Sequence, residues 1–511
     1  MKVLLKIAFY IVLLGVMGFL LVYLFFQKEF FELKDEYFPS EIIEEDRTIS
    51  DKELKIAYAF NFAGYEPTLF DPNTRTRLLN MYEGLVGTNR NLQIEPKLAL
   101  SWGRVHDTIW EFKLRPDVVF HDGTEFDADD VIASFERATD NKVSELKDIL
   151  ATVESIEKKD DLTVTIYTKE PDPILVNRIA NVLIFPSEKR NFDKPTGTGP
   201  YKFNADSETE VAITRFDDYW GKLPFYKNVF IQTIENRFIR FDALKNGEID
   251  ILANVPPSFT EDFEEMAAVS IQSLPSLEVN FLIFNFESDL LKDKRIREAI
   301  SLAFDKNAFV EFSDGFASPS YQFVSNGIFG FNPDIESFPQ DTDAAKKIVK
   351  EYDPFKRPSV AIDMSTGAET IGEFIKLQFD EIGIGTSIKY MPFEELQKKI
   401  QNKESEMYLL GFRSEIGDAS SFYENLVHSK GNFNGGNFSN KKVDQLIELS
   451  LTNLDQEKRL AQFQEIMKII TEEEYFGVPL FETDVIYGIR VGIHFHPRLD
   501  GYVLANEITQ T

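Results

Sequence analysis

His494 and His496 are the sequence's first candidates for metal ligands, because on an extended segment they alternate and point to one face. No third partner lies nearby, and Pro497 ends the strand pattern, so two histidines on an exposed strand are the expectation. Five histidines in the whole chain leave little material for general-base schemes. The absence of cysteine removes disulfides, thiolate zinc sites, iron–sulfur clusters and a cysteine nucleophile. The loop Pro195-Thr196-Gly197-Thr198-Gly199-Pro200-Tyr201 has the glycines of a phosphate cradle but not its Lys-Ser/Thr end, and Pro200 removes an amide. It reads as a tight, rigid turn. Ser144-Glu145-Leu146-Lys147 and Ser155-Ile156-Glu157-Lys158 match S-x-x-K, but the S-D-N and K-T-G companions are missing. No G-x-S-x-G elbow or H-E-x-x-H motif occurs. Asp122-Gly123 after Phe120-His121 is a turn without a calcium-ligand ladder. No enzyme is expected, and no metal or cofactor is implied.

The elements that would position a site alternate between strand and helix. Trp110, Phe112 and Leu114 alternate with Glu111, Lys113 and Arg115, the pattern of a half-buried strand. Leu162 to Tyr167, Val229 to Ile234 and Phe281 to Phe286 are rich in β-branched or aromatic residues and read the same way. Asp127 can cap a helix from Ala128 to Ala138, with Asp129 and Asp130 favourable in its first turn. Ile371, Phe374, Ile375 and Phe379 line one face of a helix from Glu369 to Ile382, which Gly383 stops. Thr342 is a candidate cap for a helix through Ala345, Ile348 and Val349, and longer helical patterns run from Lys441 to Leu451 and from Asp455 to about Glu474. The expected class is α/β, with mixed sheets flanked by helices.

The chain has 511 residues, which at roughly 100–200 per domain suggests two to four lobes. Its formal charge of −30 argues against a nucleic-acid partner, since phosphate backbones would be repelled. Lys2 and Lys6 precede an uncharged run from Ile7 to Phe26, long enough to cross a bilayer as one N-terminal transmembrane helix. The run leaves through Phe25, Phe26, Gln27, Lys28 and Glu29, without a small-residue cleavage site. Residues 1–28 are therefore expected to be an uncleaved signal anchor in the lipid bilayer, with its lysines cytoplasmic and the bulk of the chain extracytoplasmic. Residues 29–50 are charged and irregular, and read as a tether.

Along the rest of the chain, motif after motif resembles the family 5 extracellular solute-binding proteins, the oligopeptide- and dipeptide-binding group of ABC importers. Leu69-Phe70-Asp71-Pro72 and Tyr82-Glu83-Gly84-Leu85-Val86 resemble its LDP and YEGL elements, and Glu95-Pro96-Lys97-Leu98-Ala99-Leu100-Ser101-Trp102 its EPALAESW run. Phe112-Lys113-Leu114-Arg115, Phe120-His121-Asp122-Gly123 and Ala128-Asp129-Asp130-Val131 follow in the family's order. So do Gly197-Thr198-Gly199-Pro200-Tyr201, Tyr219-Trp220, Leu244-Lys245-Asn246-Gly247-Glu248-Ile249-Asp250, Arg297-Glu298-Ala299-Ile300 and Phe304-Asp305-Lys306. The resemblance implies a two-lobed clamp of the periplasmic-binding-protein type II kind with an extra accessory domain. On this basis residues 51–87, 187–274 and 481–511 build lobe I, 88–186 the accessory domain and 275–480 lobe II. Ligand would be buried as the lobes close, and peptides would be held through their backbone like an added strand.

The same resemblance supplies a candidate site. Tyr408 to Phe422 resembles the stretch GW-x-x-D-x-x-DP-x-x-F, in which the aromatic lines the cleft and the first acid pairs with the peptide's α-ammonium. Here Phe412 stands for the Trp and Glu415 for the Asp. Asp418 is the reserve candidate, Arg413 could neutralise Glu415 instead, Tyr408 opens the segment, and Asn434 with Gly435 and Gly436 would shape a neighbouring loop. The expected function is a membrane-tethered monomer that captures short peptides and delivers them to ABC permease subunits. An anchored sensor using the same clamp, or a binder of a nickel chelate or oligosaccharide, is the alternative.

Overall fold

Two long strands, Val269–Phe284 and Gly477–Arg490, pair antiparallel from Val269 opposite Arg490 to Ile283 opposite Gly477 and form the spine of the molecule. The structure is a computed structural model that describes residues 50–140, 142–264, 266–312, 316–335 and 340–511. The expected anchor at 7–26 lies outside these residues; among the described ones, no helix is long and apolar enough to cross a membrane.

The two long strands sit in the middle of an eleven-stranded mixed sheet. On one side of them come Ile251–Ala253, Ser50–Tyr58, Tyr226–Thr233, Glu210–Arg215 and Tyr201–Asp206. On the other come Met407–Arg413, Ser359–Ser365 and Gly385–Met391, and the eleventh strand, Ala317–Pro319, pairs with Gly477–Arg490 off this order. Ser50–Tyr58 runs parallel to both of its neighbours, whereas Met407–Arg413 is antiparallel to Val269–Phe284. The pairing of the long strands slips between Pro275 and Val279, where Leu277 adopts φ of 61°. A left-handed leucine is an unfavourable conformation, and it falls where the ribbon passes from one half of the sheet to the other.

Each half buries its own core. Leu54, Ile56, Val229, Ile231, Ile251, Tyr487 and Ile489 fill one side. Phe281, Phe323, Phe422, Tyr423 and Phe463, with a second cluster of Leu282, Ile300, Ile362, Phe379 and Val478, fill the other. A third body has its own four-stranded antiparallel sheet of Ala99–His106, Ile109–Leu114, Thr163–Thr168 and Val153–Asp160, in that spatial order. Helix Ala128–Thr139 packs Val131 and Phe135 into its core with Phe112, Val164 and Ile166.

Local chemistry explains where the elements begin. Asp127 accepts from Asp129 N while Asp130 reaches back to Asp127 N, a reciprocal cap that the acidic start anticipated. The helix Thr342–Tyr352 is capped by Asp341 and not by Thr342, because the Asp341 carboxylate reaches the Ala344 amide at 2.8 Å. The expected strand at His494 ends there, since Ile493–His494 is a two-residue strand and His496 lies beyond it. The pattern at Phe281–Phe286 marked only the end of a 16-residue strand.

Candidate functional site

The wall of the site starts from the segment that follows the first strand. Asp71 caps the short helix Pro72–Leu78 by accepting from Thr74 N at 3.0 Å, and Pro72 occupies its first turn, where a missing amide costs nothing. This helix carries Arg75 and Arg77 inward, both buried. Arg77 is tied down by the carbonyls of Asn73 and Phe60, at 2.5 and 2.9 Å. Arg75 has no such set: its Nε and Nη1 are buried without a hydrogen-bond partner.

Four resemblance motifs meet behind this helix. The Glu83 carboxylate accepts from the Thr198 hydroxyl at 3.0 Å, the Tyr219 hydroxyl at 2.8 Å and the Trp220 indole at 2.8 Å. Arg115 stacks over Trp220 at 3.9 Å. Burial pushes the Glu83 carboxyl above its ordinary range, opposed by those three donors and by the Lys97 charge. Gly197 and Gly199 are required here, because a Cβ on Gly197 would stand 2.2 Å from the Met81 carbonyl oxygen. The rigid turn read from the sequence is thus a backbone-on-backbone seat for Thr198.

These residues and the chain end line a cavity that is open to solvent at its mouth. Arg75, Glu83, Lys97, Asn177, Tyr502 and Glu415 are among its lining. The cavity is crossed by Asn177 Nδ2, which donates to the Ile416 carbonyl at 3.1 Å.

Glu415 lies on this wall and keeps its side chain accessible to solvent. The surrounding protein still pushes its carboxyl above the usual range, against the opposing charges of Arg413 and Arg75. Phe412 is half-buried and meets Phe422 edge-on at 5.4 Å between centroids. Arg413 donates to the Asp500 carbonyl, so it is held by the last segment of the chain and is not in direct contact with Glu415. Past Tyr408, the strand Met407–Arg413 pairs with Val269–Phe284 alone among the described residues; its link to Ser359–Ser365 ends at Asp363 and Tyr408. Gly411 is exposed there, with Glu278 Oε1 2.5 Å from where a Cβ would sit.

Three expected site residues are placed elsewhere. Asp418 is buried and its two oxygens accept from Arg459 at 2.6 and 2.8 Å, leaving no face for a ligand. Tyr408 is 1% exposed and belongs to the core under Met407–Arg413. Asn434 holds its loop together, donating to the Phe438 carbonyl at 2.7 Å and accepting from the Phe438 amide at 3.0 Å. Sequence reasoning missed Arg75, Tyr502 and Asn177, which come from segments far from Glu415 in the chain. One signal was available for Arg75: two arginines in a short capped helix, Pro72–Leu78, with no acidic residue inside it to pair them. Among the described residues, no group of three or more His, Asp and Glu is placed to hold a metal ion.

Residues 93–434 match the family described as bacterial extracellular solute-binding proteins, family 5 Middle. The dipeptide-binding protein of Escherichia coli K12 is 23% identical over 460 residues, covering 80% of this chain and 85% of that protein. The glutathione-binding protein GsiB of the same strain is 24% identical over 451 residues, covering 83% and 87%. Among solved structures, the periplasmic binding protein DppA from Helicobacter pylori, in complex with the peptide STSA, superposes with a TM-score of 0.73 at 22% identity over 92% of this chain and 99% of that one.

Proposed function

The chain belongs to the family 5 bacterial extracellular solute-binding proteins, and from that premise we propose that it captures short peptides in the cleft lined by Glu415. The observation that carries this reading is an accessible carboxylate, without hydrogen bond or ion pair among the described residues, on the wall of a solvent-open cavity. A peptide's α-ammonium supplies the missing partner, and each charge then offsets the desolvation of the other. The edge of Leu409–Arg413 that is unpaired among the described residues would offer main-chain groups to an extended ligand, which gives affinity without dependence on side chains. Relatives that include a dipeptide-binding protein and a binding protein in complex with a peptide support the same ligand class. The filled, closed form is what ABC permease subunits would read, and the apolar run 7–26 would tether the protein to the membrane outside the cytoplasm.

A thermal-shift screen of the purified full-length chain tests this. Di- to pentapeptide pools are compared with nickel chelates and oligosaccharides; a ligand at one hundred times its Kd stabilises the folded state by about 2.7 kcal/mol. The expected outcome is a shift with peptides that Glu415→Gln removes. A shift with another solute and none with peptides would overturn the ligand class.

A further inference from the structure

The residue after Glu415 is bonded to a distant part of the molecule. The Ile416 carbonyl accepts from Asn177 Nδ2 at 3.1 Å across 239 residues of chain. Asn177 lies on the short helix Leu175–Ile179, whose Leu175 and Ile179 are buried in the core of the third body with Phe112 and Phe135. A second bond runs in the reverse sense. Gln456 Nε2, at the start of the helix Gln456–Lys468, donates to the Pro173 carbonyl at 3.2 Å. Among the described residues, these two hydrogen bonds are the ones that join residues 88–186 to residues 275–480.

Both sides of the contact are stiff. Asp172 is 1% exposed; it accepts from the Ile174 amide at 3.0 Å and the Thr152 hydroxyl at 2.6 Å, and lies 3.2 Å from Arg178 Nε. Arg178 in turn donates to the Ile149 carbonyl at 2.9 Å. The knuckle 172–179 therefore holds the Pro173 carbonyl and Asn177 at fixed places on the third body. Opposite it, the Gly417 amide donates to the Ser414 carbonyl at 3.0 Å, and the Gly417 carbonyl accepts from the Phe329 amide at 3.0 Å. Glu415 and Ile416 are the two central residues of that turn, so a bond to the Ile416 carbonyl fixes the backbone from which the Glu415 side chain projects. Asn177, Glu415 and Ile416 all line the cavity. A carboxamide suits this position because it donates to a carbonyl without carrying charge. A lysine beside Glu415 would compete with a cationic ligand for the carboxylate.

We propose that Asn177 is a positioning residue: it holds the Ile416 carbonyl from the third body and so sets Glu415 in its ligand-receiving place only while that body rests on the turn, with Gln456 as the second point of the same contact. This rests on the reading of Glu415 as the ammonium partner and adds how that partner is held. Two bonds of opposite sense from one stiff knuckle resist rotation as well as separation, so they act as a latch between the third body and the part of the chain that carries Glu415. A carboxylate fixed beforehand costs less to order when ligand arrives. The first encounter with the carboxylate does not need the latch, whereas the lifetime of the filled site does, so its effect falls on dissociation.

The test uses distances and rates on the full-length chain. Because the sequence has no cysteine, Glu154→Cys on the third body and Lys441→Cys on the helix Lys441–Thr452, both exposed, take one spin label each. Pulsed-resonance distances are measured with and without the dipeptide pool, and surface plasmon resonance of that pool over the immobilised chain gives the rates. Asn177→Leu keeps the size and removes the donor. It is expected to spread the label distance to longer values in both samples and to raise the dissociation rate about 3- to 10-fold, the worth of one hydrogen bond, at an unchanged association rate. Asn177→Gln, which keeps the donor, should restore part of both. Gln456→Leu should spread the distance likewise with a smaller change in dissociation, since it does not touch the Glu415 turn. Asn177 is half-buried and Gln456 exposed, so neither substitution opens a core. Distances unchanged in both leucine variants overturn the latch, whatever the peptides do. A spread distance with unchanged dissociation overturns the positioning of Glu415 and leaves the peptide reading standing. Failure of every peptide to bind the unaltered chain overturns that reading and the positioning role with it, while the peptide-free distances still decide the latch.

Discussion

The indole N–H of Trp220 donates to the Glu83 carboxylate at 2.8 Å across 137 residues of chain. This bond and its two companions join Tyr82-Glu83-Gly84, Thr198 and Tyr219-Trp220 into one buried knot behind the cavity. The motifs are thus linked by a shared hydrogen-bond acceptor, whose ionised form is tolerable in the interior only while its donors are present.

Replacing Trp220 with Phe should therefore destabilise the protein by about 1–3 kcal/mol, the usual cost of leaving a buried polar group short of a partner. The ring would still lie under Arg115. Urea denaturation read as a change in midpoint at constant slope checks it; an unchanged midpoint would mean that water replaces the indole.

Affinity for peptide should fall on acidification. Surrounding protein holds the Glu415 carboxyl above its ordinary range, so its neutral form persists to higher pH than that of an exposed carboxylate, and only the ionised form attracts an ammonium. Binding then pulls the pKa down and releases a proton. The raised value also means that Glu415 favours the folded state at low pH, a contribution lost as pH rises through its folded pKa. Titrations in two buffers of different ionisation enthalpy, on the unaltered chain and on Glu415→Gln, measure the released proton, which the variant should lack.

Lys306 should impose an opposite, local pH dependence on stability. It is buried, donates to the Ser320 carbonyl at 2.8 Å, sits over Tyr321 at 4.7 Å, and is brought down to about 7 by desolvation. Between that value and the ordinary lysine range the unfolded chain holds a proton that the folded chain lacks. Stability therefore rises with pH across that window, by at most about 1.4 kcal/mol per unit. Lys306→Met should flatten this part of the profile, and chemical denaturation at pH 6.5, 8 and 9.5 is the comparison.

Breaking the Asp418–Arg459 pair should be costly without touching the cleft. Arg459 is 1% exposed, with the Ser450 carbonyl at 3.0 Å and the Phe463 ring at 4.5 Å. Asp418→Ala leaves that guanidinium buried with its main counter-charge gone, a loss of about 3–5 kcal/mol. The melting temperature should drop by several degrees, while peptide affinity of the folded fraction stays as it was. An affinity loss at unchanged melting temperature would return Asp418 to the binding site.

Much of this protein was legible in its sequence because the signals are local. Capping residues such as Asp127 and alternating patterns such as Trp110 to Leu114 fix φ and ψ within a few neighbours, and the order of short motifs was enough to indicate the family. The position of Glu415 in the motif likewise marked a carboxylate worth placing in the cleft. Asp418 shows the limit of that reasoning: a motif gives its residue type, but its accessibility depends on Arg459, 41 residues away. The same holds for the spine, since Val269–Phe284 alternates too weakly at Gln272 to Glu278 for its length to be read alone, and its pairing with Gly477–Arg490 supplies the missing hydrogen bonds. Which arginine of Thr74-Arg75-Thr76-Arg77 is tied to backbone carbonyls and which keeps two guanidinium nitrogens without acceptors is also a matter of non-local neighbours. Phe60 and Thr233 come to one, Tyr502 and Glu415 to the other. Side-chain type and backbone propensity are carried by the sequence; desolvation and partner supply belong to the assembled fold, because they depend on what contacts arrive from hundreds of residues away.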